Sequence, residues 1–235
     1  YTKNGVTTAT HAEAPGENML VLDPEAVTIG ENIQHITAQR FAFLHDAVLP
    51  RSLFSIESNF VENHPDKVRP YRKGEALAAD EIKLLTNDKA GKAGRARWYV
   101  AKEEVVTTGK EHLRRWKVVV SSANAGGQKR SNQLEVLDDR SAFGRSRVAL
   151  KTFATEREAR NFFAYCQTDF IRYTFLLTDE SLNSLAKMVP DLLDYTDGNG
   201  IIDYAGDVNT QLYALFEIDD SMKRLILRTL EENQS

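Results

Sequence analysis

The spacing of apolar residues changes at Thr155, and this change constrains the fold more than any other feature of the sequence. Between residues 81 and 153, apolar residues come in short β-branched or aromatic runs bounded by glycine, asparagine or charge, which is typical of strands. From Thr155 onward they follow the i, i+3, i+4, i+7 spacing of an amphipathic helix, and Thr155 with Glu158 forms a capping box. We predict an α+β fold, in which a twisted mixed or antiparallel β-sheet region with long basic loops precedes a helical C-terminal part.

The same patterns place individual elements. The predicted strands of the sheet region are Glu81–Leu85, Trp98–Val100, Trp116–Val120 and Val148–Phe153. The predicted helices of the C-terminal part are Thr155–Phe170, Asp179–Met188, Gln211–Phe216 capped by Asn209 or Thr210, and Ser221–Glu232 capped by Asp219. Upstream the pattern is weaker. We expect the first 30 residues to be loosely structured, apart from a short strand at Met19–Leu22. A helix around Ala38–Ala47 that ends before Pro50, a strand at Leu53–Phe60 and a polar connector at Asn63–Gly74 are predicted to follow.

The charge of the chain is strongly segregated along the sequence. The formal net charge is −4, from 30 Lys and Arg against 34 Asp and Glu. Residues 1–66 contain 3 basic and 9 acidic residues, residues 67–151 contain 20 and 10, and residues 152–235 contain 7 and 15. A segment with a balance of +10 between two acidic flanks is typical of a polyanion-binding surface.

Several classes of protein are excluded by composition. Cys166 is the one cysteine, so the chain has no internal disulfide and no thiolate-rich zinc site, and its place on the apolar side of the Thr155 helix predicts a buried thiol. No apolar run approaches the ~20 residues that span a bilayer, and no signal peptide is present. We therefore expect a cytoplasmic protein. Because the chain starts at Tyr1 and not at methionine, we also expect it to be a fragment of a longer protein.

One enzymatic pattern is kept as an alternative. Pro65-Asp66 is followed by Glu81-Ile82-Lys83, the residue set of a magnesium-dependent PD-(D/E)xK nuclease, in which two carboxylates bind Mg²⁺ and the lysine activates water. The competing interpretation is a turn aspartate and an exposed pair at a strand edge, because short acidic patterns recur by chance in a chain with 27% charged residues.

A second pattern resembles the centre of a calcium loop. Residues 196–203 place acidic and amide side chains and a glycine at the inner ligand and turn positions of such a loop. Tyr195 and Gly206, however, stand where the two end ligands are required. A polar turn is therefore the better interpretation, and we predict neither a metal site nor a catalytic residue in this chain.

The basic residues of the middle segment concentrate in the loops between its predicted strands, together with glycines and amide side chains. Arginine and lysine bind guanine edges, asparagine and glutamine bind adenine edges, and glycine-rich backbone holds phosphates. We predict that this segment binds double-stranded DNA. The side chains predicted to neutralise phosphates are Lys89, Lys92, Arg95, Arg97, Arg114 and Arg115. The side chains predicted to contact base edges are Asn124, Gln128, Lys129, Arg130, Arg145 and Arg147. A protein-interaction module, with its basic loops scattered around the fold, is the competing interpretation.

Four ordered segments also resemble a known family. They are Trp116–Gly127, similar to a W-K-V-x-V-S-K-A-x-G-x-G pattern; Phe153–Tyr165 followed by Thr168–Arg172; Met188–Leu193; and Gln211–Asp219. Together they resemble the C-terminal target-recognition domain of type II restriction–modification enzymes that contain an adenine methyltransferase, and the resemblance covers about residues 67–235.

The resemblance implies a DNA specificity domain at 67–235, with a β-rich basic part at 67–153 and a helical part at 154–235. It implies that residues 1–66 are the end of a methyltransferase domain or a linker, and that the methyltransferase domain of the same longer chain is a partner. The Asn-Pro-Pro-Tyr or Asn-Pro-Pro-Phe motif of such methyltransferases does not occur in this sequence. We therefore expect S-adenosylmethionine and Mg²⁺ to bind only elsewhere in the longer protein.

Overall fold

The computed structural model describes residues 23–91, 93–122, 134–177 and 185–233, and the backbone of residues 2–3 and 6–7. The protein has the predicted α+β fold. Its strands are β1 (Thr2–Lys3), β2 (Val6–Thr7), β3 (Ala42–Phe43), β4 (Val68–Pro70), β5 (Glu81–Asn87), β6 (Ala96–Lys102), β7 (Trp116–Ser121), β8 (Glu135–Leu137), β9 (Ser141–Phe143), β10 (Arg147–Phe153) and β11 (Pro190–Asp191). Its helices are α1 (Pro24–Arg40), α2 (Phe60–Asn63), α3 (Lys110–Leu113), α4 (Glu156–Gln167), α5 (Asp169–Leu176), α6 (Val208–Leu215) and α7 (Asp220–Glu232), with 3₁₀ turns at Leu44–Ala47 and Glu103–Val105.

A three-stranded antiparallel sheet in the order β10-β7-β8 lies between two hydrophobic cores. Val118 and Val120 of β7 belong to one core, which they share with α1, α4, α5, α6 and α7. Val119, between them, belongs to the second core. Since successive side chains of a strand point to opposite faces, a continuous apolar run such as this one is required for a strand buried on both sides.

The second core joins this sheet to a four-stranded mixed sheet in the order β4-β6-β5-β9. β5 pairs antiparallel with β6 from Glu81 opposite Lys102 to Asn87 opposite Ala96, whereas β9 runs parallel to β5. β4 is the opposite edge strand and pairs antiparallel with β6. The fold is thus a helical layer, a central sheet and an outer sheet, and the basic segment forms most of the two sheets.

The predicted strands of the basic segment and the helices that begin at Thr155 and Asp219 are confirmed, each within a few residues. The Thr155 side chain accepts the N–H of Glu158, whose carboxylate accepts the N–H of Thr155, as the capping box requires. The helix ends at Gln167, and α5 follows as a separate helix capped by Thr168.

Three secondary-structure predictions upstream of residue 67 are wrong: the loose structure of residues 24–30, the helix around Ala38–Ala47 and the strand at Leu53–Phe60. The helix is α1 and not a helix around Ala38–Ala47, because Asp23 caps it by accepting the N–H of Glu25, and Pro24 occupies the first turn, where proline is tolerated. Leu53–Phe60 forms turns in place of a strand, although Leu53, Phe54 and Ile56 are buried, because Ser55 has a φ of 52°.

The remaining helix predictions have mixed outcomes. α6 is capped by Asp207, which accepts the N–H of Thr210, and not by Asn209 or Thr210. Most of the helix predicted at Asp179–Met188 and the strand predicted at Met19–Leu22 lie outside the described residues. Residues 185–188 form turns.

Candidate nucleic-acid interface

The turn between β5 and β6, residues 88–95, is a tight structure that depends on two glycines. Asp88 donates its N–H to the carbonyl of Arg95, and the Asp88 carboxylate accepts the N–H of Arg95 at 2.8 Å. Gly91 has a φ of 81°, and a Cβ on Gly94 would lie 2.0 Å from the carbonyl oxygen of Lys89. The turn therefore requires glycine at both positions, and it lies at one end of the outer sheet.

The pairing of strands brings other basic positions to this same end. Gly144 donates its N–H to Leu85, near the end of β5, and Arg147 lies opposite Ser121, the last residue of β7. We call the region formed by residues 88–91, 93–97, 144–147 and 121–122 the hairpin end of the two sheets.

Two predicted phosphate contacts at the hairpin end are free to meet a ligand. Lys89 and Arg95 are exposed, and neither forms an ion pair with another described residue. Arg97 is 62% exposed at its side chain and lies 2.9 Å from the Asp88 carboxylate. The hydrogen bond from the N–H of Arg95 and the positive charge of Arg97 hold the pKa of Asp88 below its ordinary value. This carboxylate therefore stays charged and organises the turn.

Two further cations come to this region from a segment that we predicted to be a connector. Tyr71 continues the β4–β6 ladder by donating its N–H to the carbonyl of Trp98, so Arg72 and Lys73 leave the edge of the sheet on the side of the hairpin end. Both side chains are exposed and form no ion pair within the described residues. The sequence signal was the cluster of four basic residues within 67–73.

The two described residues predicted to contact bases have different surroundings. Arg145 is 39% exposed at its side chain, and its Nη2 lies 3.0 Å from Oε1 of Glu57. Arg147 is only 13% exposed, and its Nη2 donates to the Glu135 carboxylate at 3.0 Å. Arg147 thus links β10 to β8, and of the two arginines Arg145 is better placed to reach a ligand.

Arg114 and Arg115 lie at the opposite end of the sheets. Arg114 is paired with Glu103, which follows β6, and Arg115 donates its Nε–H to the hydroxyl of Thr152 at 3.1 Å. β5 has seven residues, so these two arginines and the hairpin end are separated by about 20 Å along the strands, at ~3.3 Å per residue. The other predicted DNA-binding residues lie outside the described residues. They are Lys92, Asn124, Gln128, Lys129 and Arg130.

The residues of the nuclease alternative are engaged in local contacts. Asp66 and Glu81 line one shallow groove, but the Glu81 carboxylate accepts the N–H of Ala78 at 2.9 Å and faces Arg69 at 3.3 Å. Lys83 forms an ion pair with Asp138, away from that groove. The backbone hydrogen bond from Ala78 lowers the pKa of Glu81. Glu81 and Lys83 thus have local partners, and the nuclease alternative stays a prediction.

The loop that resembles a calcium site is also organised by its own hydrogen bonds. Asp197 accepts from Asn161 at 2.8 Å and pairs with Arg157, and Asn199 accepts the N–H groups of Ile201 and Ile202. Among the described residues, no group of three histidine, cysteine, aspartate or glutamate side chains is arranged to hold a metal ion.

Lys117 is the most unusual ionisable group of the described chain, and sequence reasoning did not single it out. Its side chain is fully buried in the second core, where Nζ donates to the carbonyls of Leu113 at 3.1 Å, Arg115 at 2.6 Å and Asp138 at 3.2 Å. The ring of Phe54 lies 5.9 Å from Nζ. Burial lowers the pKa of Lys117 to about 7.

A second buried polar cluster lies between the sheet and the helices. Asp191 is 2% exposed, and Lys151 contacts both of its carboxylate oxygens, at 2.7 and 2.5 Å. Tyr195 donates its hydroxyl to Asp191 at 3.0 Å. Cys166 is fully buried nearby, as predicted, and burial raises its thiol pKa well above the ordinary value. Asp191, Tyr195 and Cys166 are buried, whereas the Lys151 side chain is 17% exposed, and the cluster links the sheet to the helices.

Comparison with family models, with curated proteins and with solved structures found no match to this chain. None of the helices among the described residues has the length and apolar character needed to cross a bilayer.

Proposed function

We propose that this protein recognises double-stranded DNA through the hairpin end of its two sheets. The single observation that supports this most strongly is the set of exposed cations at or beside the hairpin end that form no ion pair with a described residue: Arg72, Lys73, Lys89 and Arg95. Unpaired, exposed cations release counterions when they meet phosphates, which is the main source of affinity in protein–DNA complexes.

Sequence specificity is assigned to Arg145 among the described residues. Its guanidinium is partly exposed beside the free cations, and an arginine fork matches the two acceptors of a guanine edge. Asn124, Gln128, Lys129 and Arg130 have the same proposed role from the sequence alone. Arg114 and Arg115 are left out of this surface because both have partners at the opposite end.

The resemblance to target-recognition domains supports the same proposal. A domain of that kind selects the DNA site, while the methyltransferase domain of the longer chain binds S-adenosylmethionine and modifies the adenine. In this proposal the present chain supplies recognition and no catalytic group.

The test measures binding of the chain to fluorescent duplexes drawn from a random-sequence pool, over a range of salt concentrations. We expect Lys89→Ala and Arg95→Ala to weaken binding to all duplexes alike, and each to flatten the plot of log K against log salt by about 0.9. We expect Arg145→Ala to cost ~1–3 kcal/mol on enriched sequences and to relax their specificity.

Lys110→Ala is the matched control. Lys110 is exposed and has no ion pair with a described residue, but it begins α3, which leads into the opposite end of β7. Equal losses from Lys110→Ala and Lys89→Ala would place binding elsewhere, and a wild-type chain that binds no duplex at low salt would refute DNA recognition.

A further inference from the structure

Arg145 is held in place by a short segment that precedes α2. The N–H of Arg145 donates to the carbonyl of Ile56 at 3.1 Å, and its guanidinium lies 3.0 Å from the carboxylate of Glu57. Ile56 is 1% exposed, so this segment is anchored in the second core. The backbone of Glu57 is therefore kept beside Arg145, within reach of its guanidinium.

The ion pair between Arg145 and Glu57 is expected to contribute little to the stability of the fold. Both side chains are partly exposed, at 39% for Arg145 and 53% for Glu57, and exposed ion pairs contribute little to stability. Glu57 has no other ion-pair or hydrogen-bond partner for its carboxylate among the described residues. The Nε of Arg145 is buried without a hydrogen-bond partner in the described structure, so this pose leaves one donor of the guanidinium unused.

We infer that Glu57 lowers the affinity of DNA binding by occupying Arg145, an inference that rests on the proposed function. A single phosphate oxygen would replace the Glu57 contact with one of the same kind, so a non-specific duplex gains little from Arg145. A guanine edge offers two acceptors to one guanidinium, so it replaces the lost ion pair and adds a second hydrogen bond. Arg145 must break the same ion pair to meet either duplex, so Glu57 weakens both kinds of binding by a similar factor.

The experiment is a double-mutant cycle on Glu57 and Arg145 in the full chain. Wild-type protein first enriches a duplex from a random pool, and binding of each variant is then measured on that duplex and on a scrambled duplex of equal composition. We expect Glu57→Gln to tighten binding to both duplexes about two- to five-fold, because neither duplex then has to break the ion pair. On the scrambled duplex, the salt plot should steepen by about 0.9, because Arg145 then meets a phosphate.

The second arm of the cycle separates this role from a general effect of charge. In the Arg145→Ala background, Glu57→Gln should change neither affinity, since its effect passes through Arg145. Asp80→Asn is the matched control, because Asp80 forms an exposed ion pair 2.6 Å from Lys102 at the opposite end of the sheets. It should leave both affinities at wild-type values.

Three results would overturn the inference. They are unchanged affinities in Glu57→Gln, an equal effect of that substitution in the Arg145→Ala background, and an equal effect of Asp80→Asn. If Glu57→Gln does not fold, Glu57→Asp, which withdraws the carboxylate by one methylene, must tighten binding to both duplexes. Failure of the wild-type chain to bind any duplex is a different result and refutes the proposed function itself.

Discussion

The free energy of unfolding should depend on pH through Lys117. The ordinary lysine pKa of 10.5 applies in the unfolded chain, whereas burial lowers the pKa to about 7 in the folded protein. Between these two values the unfolded chain binds more protons than the folded one, so the free energy of unfolding rises with pH. Below pH 7 both states are protonated, and the full cost of burying the ammonium is present.

The expected magnitude follows from the two pKa values. From the folded-state pKa of about 7 to the unfolded-state pKa of 10.5, the free energy of unfolding should rise by about 5 kcal/mol, at ~1.36 kcal/mol for each pH unit. Between pH 6 and pH 9, the wild-type protein should gain about 2.5 kcal/mol relative to Lys117→Met. In Lys117→Met, the carbonyls of Leu113, Arg115 and Asp138 lose their donor. The cost of that loss is the same at every pH, so it does not change the relative gain.

The assay is urea unfolding of the wild-type protein and of Lys117→Met at several pH values between 6 and 9, with Lys67→Met as the control. Lys67 is exposed and has no ion pair with a described residue, so its removal should leave the pH dependence unchanged. A difference between wild type and Lys117→Met that stays constant within ~0.5 kcal/mol over this range would refute the assignment of a buried lysine with a lowered pKa.

Three further substitutions test the packing by thermal or urea unfolding. Thr155→Ala should destabilise the protein by ~1 kcal/mol through loss of the helix cap, and an unchanged stability would contradict the capping box. Gly144→Ala should cost ~1–3 kcal/mol because a Cβ would lie 2.3 Å from Oγ1 of Thr86. Adding Thr86→Ala should recover part of that loss, and additive losses would refute the steric explanation. Asp191→Asn should cost ~3–5 kcal/mol because it leaves the Lys151 ammonium without its carboxylate, and a cost below ~1 kcal/mol would show that the pair is not buried.

The elements predicted well from the sequence are those whose signals are local. The Val118–Val120 run predicts a strand because three successive β-branched residues favour extended backbone, and that strand lies between the two cores. The capping box of Thr155 lies within four residues of the helix that it starts. By contrast, the expectation of a loosely structured first 30 residues fails at Asp23-Pro24, because an aspartate followed by proline is a helix start.

The candidate interface could be predicted only in part. The sequence shows where basic residues are, but it does not show which of them have an acidic partner in the fold. The sequence shows that 67–151 is basic, but it does not show that Arg147 is paired with Glu135 across two strands. It also does not show that Arg145 meets Glu57, which is 88 positions earlier and belongs to an acidic flank. Both pairs depend on the register of the sheets, which is set by long-range packing.

The number of free cations, and not the net charge, should therefore determine the salt dependence of DNA binding. Four free cations lie near the hairpin end, and at ~0.9 per neutralised phosphate they predict a slope of about −3.6 for log K against log salt. Lys92, Lys129 and Arg130 would extend the slope to about −6.3 if all three also meet phosphates. The balance of +10 in residues 67–151 would instead predict a slope of about −9. A measured slope near −9 would show that the ion pairs of the basic segment open when DNA binds, and it would refute the assignment of binding to the free cations alone.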